Sequence, residues 1–225
     1  MNLRKAIIFI LASIIYTIIL KISKFLIPDI FSSIYITQTA YVLSLLVGLF
    51  SIIFGLCFIK EVIGKNNIQL KSSVYLALFG PAFLMLIHLS DIIRISNKLS
   101  LKIYDFSPWL YNLILVNNVK SFSQIVLWLS SIFIFYFFFI LYKNLSSKNK
   151  ELKKANYLVL FGTGLNAVFR SFGFIIYLLF PRSGLIINPP TIIYLIGFLI
   201  FLFTSLVSLN FFWKLYRIED YSEIL

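Results

Sequence analysis

Four polar side chains interrupt two otherwise apolar segments: His88 and Asp91 in one, Asn166 and Arg170 in the other. His88 and Asp91 are three apart, and Asn166 and Arg170 four apart, so each pair shares a face if its segment is helical. An imidazole beside a carboxylate can exchange a proton near neutral pH. A guanidinium in apolar surroundings holds an anion or a carboxylate by charge-assisted hydrogen bonds. Placing an arginine near a bilayer centre costs roughly 2.5–3.5 kcal/mol on insertion scales, so such residues face a bundle interior or a water path. Two arrangements satisfy that requirement. In the first, Arg170 is an anion clamp, Asp91 its counter-ion, His88 a proton carrier and Asn166 an orienting group. In the second, Arg170 and Asp91 pair with help from Asn166 and lock two helices together.

Other chemistry is excluded by what the chain lacks. One His and one Cys leave no bis-histidine haem, no cysteine-based metal site and no intramolecular disulfide. Met85 and His88 lie on the same segment and cannot supply opposite axial ligands. Neither a His-Glu-x-x-His metalloprotease sequence nor a Gly-rich phosphate loop occurs. No cofactor, no metal and no enzymatic activity are expected. Cys57 lies in an apolar run and reads as a small buried hydrophobe.

The elements that must position these residues follow from composition. The 225 residues are 60% hydrophobic and only 12% charged, whereas soluble domains average about 25% charged. Six runs reach the length of about 20 residues that a helix needs to cross a bilayer. They lie at about 6–27, 36–59, 72–95, 121–142, 156–180 and 190–213. Continuous rather than alternating hydrophobicity favours helices over barrel strands. The expected fold is an all-α membrane protein, a six-transmembrane-helix bundle forming one domain over 1–225.

Net charge is +12, yet the basic residues flank the apolar runs, where they meet anionic headgroups and set topology. Nucleic acid is not an expected partner. With the N-terminus inside, twelve Lys and Arg fall in inner segments. Seven fall in outer ones (Lys21, Lys24, Arg94, Lys98, Lys102, Lys120 and Arg182), and Arg170 is left within a helix. This bias places both termini inside. The segment from Arg4 to Leu20 resembles a signal sequence without a small-residue cleavage site, and is expected to stay as the first helix.

Three further patterns bear on the bundle. Ser107-Pro108-Trp109 opens a stretch expected to form an interfacial helix at about 108–119. Residues 67–80 align with 149–162 at a spacing of 82, with eight of fourteen positions identical. Helices 2–3 and 4–5 would then be parallel copies of one hairpin, with the start of a third copy in helix 6, and His88 falls opposite Arg170. Small residues at Ser44, Gly48, Ser51, Gly55, Thr163, Ala167 and Ser171 mark close helix contacts, and Pro81 is placed to kink helix 3. At about 1.5 Å per residue, Arg170 lies roughly 4 Å, His88 roughly 7 Å and Asp91 roughly 12 Å to the outer side of their helix midpoints.

The residues thus point to a multi-pass membrane protein that binds or translocates a small solute or ion at His88, Asp91, Asn166 and Arg170. The alternative is a non-catalytic subunit, sensor or scaffold, with a partner membrane subunit or a second copy, in which the charges are structural.

Overall fold

The computed structural model describes residues 2–27, 29, 33–63, 67–98, 118–179, 191–221 and 224–225. Among the described residues, six α-helices carry the fold: α1 (Leu3–Leu26), α2 (Ile34–Phe58), α3 (Ile68–Lys98), α4 (Asn118–Asn144), α5 (Lys150–Leu179) and α6 (Thr191–Tyr216). Each contains a stretch long and apolar enough to cross a membrane. Such sequences fold as helices because every backbone N–H and C=O is then satisfied within the segment.

The helices are longer than the apolar runs alone indicate. α3 begins at Ile68 and α5 at Lys150, so the basic residues before each run lie in the first helical turns rather than in loops. α1 ends at Leu26, close to the expected end of its run at 27, so Lys21 lies within the helix more than a turn before its end. The interfacial stretch at 108–117 lies outside the described residues, while Asn118 and Val119 open α4 instead. α2 does not stop at its apolar end; it widens into a π-turn at Ile59–Ile63. That turn carries Glu61 to the start of α1, where its Oε1 accepts from the Leu3 N–H at 2.9 Å. A carboxylate there satisfies an orphan donor and opposes the positive end of the helix dipole. Pro81 lies within α3, which continues through it.

Each helix packs beside the next in chain order, and α6 packs back on α1, so the six form a closed ring. One end, here the basal end, gathers the first turn of α1 with the α2–α3 and α4–α5 connections. Asn67 Nδ2 donates to Asn144 Oδ1 at 2.7 Å across those two connections. Asn67 Oδ1 also accepts from the Leu70 N–H at 3.0 Å, capping α3. Lys214 of α6 pairs with Glu151 of α5 at this end.

The core lies in the basal half. Leu3, Ile7, Phe58, Leu70, Leu141, Val159 and Leu215 are at most 1% exposed. Their centre is made of phenylalanine rings crossing the ring of helices from α2, α4 and α6. Phe58 meets Phe137 at 86° with centroids 5.9 Å apart. Phe54 meets Phe212 at 89° and 5.2 Å, and Phe138 meets Phe211 at 89° and 5.6 Å. Edge-to-face contact is the favoured geometry for aromatic pairs. Below them the segment after α6 folds under the bundle. Ile224 is fully buried, and its carbonyl accepts from the Ser146 N–H at 3.0 Å.

Candidate functional site

The small residues are where the helices come closest. A Cβ on Gly48 would stand 2.4 Å from Met85 Cγ and 3.2 Å from the Pro81 carbonyl oxygen, so α2 and α3 touch almost backbone to backbone. Gly55 faces Leu78, Gly80 faces Ser130 and Gly162 faces Thr204 with comparable closeness. Thr204 Oγ1 also donates to the Gly162 carbonyl at 3.0 Å, tying α6 to α5. Thr163 and Ala167 are buried on α5, and Ser171 Oγ accepts from Trp128 Nε1 at 2.8 Å, fixing α5 against α4.

Above the phenylalanine core the packing loosens. From about Thr17, Met85 and Ala167 onward, the described residues on α1, α3 and α5 are partly buried or exposed, with few that are fully buried. Here stand the candidate residues. His88 on α3 is half-buried, its ring 5.4 Å from that of Tyr41 on α2. Asp91 follows on the same helix, and its side chain lies outside the described residues. Asn166 and Arg170 are half-buried on α5. α3 and α5 are not neighbours in the ring, because α4 stands between them. The sequence pairs His88 with Asp91 and Asn166 with Arg170 along their helices, and both pairs rise into the same loosely packed half.

One cation missing from the sequence-based site is Lys21. It lies on α1, close enough to Arg170 to interact electrostatically although α6 stands between their helices. Its Nζ sits 5.7 Å from the ring centroid of Phe201 on α6. A signal for it was present in the chain, since Lys21 lies only fifteen residues into a run that begins at Ala6. Its place near the end of that run made it look like an ordinary flanking charge.

Among the described residues, no carboxylate pairs with Arg170, and neither Arg170 nor Asn166 makes a side-chain hydrogen bond. Guanidinium and ammonium groups are donors only, and the Asn166 amide can donate as well as accept, so Arg170 and Lys21 are suited to receive acceptors. Compared with protein-family models, curated proteins and solved structures, the chain shows no match.

Proposed function

We propose that this is a polytopic, non-enzymatic membrane protein, its basal end inside, that binds or translocates a small solute or ion through the polar region of its outer half. The observation that carries the reading is Arg170, a half-buried cation in an apolar helix with Lys21 within interaction range and no counter-ion among the described residues. Two cations held near each other where water is sparse repel strongly unless an anion lies between them. A transient anionic ligand supplies that charge, and Asp91 serves as the resting counter-ion.

A binding or transport site needs water to reach Arg170, whereas a purely structural charge is sealed. With Cys57 replaced by Ala, R170C should react with a membrane-impermeant thiol reagent added from the far side. F172C should react slowly, because Phe172 is 60% exposed on the outward, lipid-facing side of α5. If a correctly assembled R170C variant labels as slowly as F172C, the charge is sealed, and the scaffold or subunit reading replaces this one.

A further inference from the structure

The stripe that α1, α3 and α5 each turn inward repeats at one register. It starts from Leu3, Leu70 and Leu152, which are 0%, 0% and 3% exposed. Three residues on come Ala6, Ser73 and Ala155, all small and at most 1% exposed. Ten residues on come Ser13, Gly80 and Gly162, again small and buried. The register shift from α1 to α3 is 67 residues, and from α3 to α5 it is 82. Continued at the same shifts, it brings Lys21, His88 and Arg170 to one position. All three lie eighteen residues beyond their leucines, five turns of a 3.6-residue helix and hence the same inward azimuth, about 27 Å further along.

We propose that Lys21, His88 and Arg170 form a ring of three basic groups around a pseudo-threefold axis of the bundle, and that this ring binds a phosphate-class oxyanion. This deepens the preceding reading by naming its ligand. Lys21 continues α1's inward stripe and is exposed, with its ammonium beside the Phe201 ring of α6. Lys21 and Arg170 sense one another across α6, as groups converging on one axis should.

The other three helices obey the same threefold. α2, α4 and α6 are linked pairwise by the three edge-to-face phenylalanine contacts, which close the axis below the ring. The result is a funnel with a stopper of rings at its base and, above it, two cations, Lys21 and Arg170, and the imidazole of His88. Tetrahedral oxyanions present several acceptor oxygens and match such a ring, since Arg and Lys bind phosphate by charge-assisted hydrogen bonds. Asp91 falls one turn further from the stopper, at the register of Lys24 and Gly173.

The phosphate group could arrive free or as a lipid headgroup. A groove of about 390 Å³ between α1 and α2 has Leu20 and Ser23, which flank Lys21, in its wall. An acyl chain lying along it would leave its headgroup at the level of Lys21.

The test uses the full chain in phosphatidylcholine nanodiscs and reads binding of radiolabelled inorganic phosphate. A second series reads thermal stabilisation by added phosphatidic acid. K21Q and R170Q should each weaken binding by about tenfold or more, and H88Q by less, as expected for loss of one charge-assisted contact. K154Q, with the same loss of charge at the exposed basal end, should bind normally. Because neutralisation could also disturb folding, K21R serves as a charge-preserving variant and should retain binding, and H88K, which adds a cation at the third position, should bind at least as well as the parent. Saturable phosphate binding identifies a free anion, and stabilisation by phosphatidic acid alone identifies a headgroup; either supports the ring. If neither ligand binds, or if K21Q and H88Q bind like the parent while R170Q alone fails, the ring is wrong. The latter result with rapid R170C labelling would leave a single-arginine site, so the ring can fail while the broader reading stands.

Discussion

Gly80 and Gly173 are both helical glycines, and their surroundings give them opposite requirements. A Cβ on Gly80 would lie 2.5 Å from Ser130 Oγ and 2.6 Å from its Cβ, while a Cβ on Gly173 meets nothing within 4 Å. Ser130 cannot easily give way, because it is buried and its hydroxyl donates to the Val126 carbonyl. G80A should therefore destabilise the protein by about 1–3 kcal/mol through overpacking. G173A should be neutral or stabilising by up to about 1 kcal/mol, the helix-propensity difference between the residues. Reversible unfolding in detergent distinguishes them, and equal midpoints would mean that the α3–α4 contact is not tight. The same local view applies to the polar residues. The chain marks His88, Asp91, Asn166 and Arg170 as unusual, because ionisable and amide groups are conspicuous among Leu, Ile and Phe. Lys21 escaped that filter: a lysine near the end of an apolar run can also reach the headgroups by snorkelling.

At the scale of elements, the apolar runs mark six helices, since length and continuous hydrophobicity leave a membrane segment few other ways to satisfy its backbone. Their ends are less legible. Lys60-Glu61-Val62-Ile63 lies beyond the apolar run that ends at about 59, yet with Ile59 it continues α2 as a π-turn. The reason is a contact 58 residues away in the chain, between Glu61 and the Leu3 N–H. Removing that carboxylate with E61A should cost about 0.5–2 kcal/mol, as loss of a helix cap does. Amide exchange in the first turn of α1 should accelerate, while exchange in α5 stays unchanged. Unaltered exchange at Leu3 to Ala6 would show that the π-turn has another cause.

For the whole molecule, the basal phenylalanine core holds the ring closed. Phe58 is 1% exposed and touches rings on its own helix and on α4. In lipid the transfer part of a truncation is muted, because the acyl chains are as apolar as the core. The cavity part persists, so F58A should cost about 3 kcal/mol. F172A removes an equal ring from the lipid-facing surface and should change stability by less than about 0.5 kcal/mol. Comparable losses in the two variants would mean that the basal core is not the centre of stability.

The chain by itself determined that its segments are helical and long enough to cross a membrane, and that a few polar residues stand apart from the rest. Those properties depend on the solvation of each segment taken alone, which composition and length report directly. Tertiary structure decided the closed order of the helices, the meeting of Phe58 with Phe137 and of Phe54 with Phe212, and the approach of Lys21 to Arg170. These depend on the azimuth of each helix and on which neighbour it accepts. In a chain that is apolar on nearly every face, hydrophobicity does not encode azimuth. Close packing of Gly, Ser and Phe across the interfaces sets it instead.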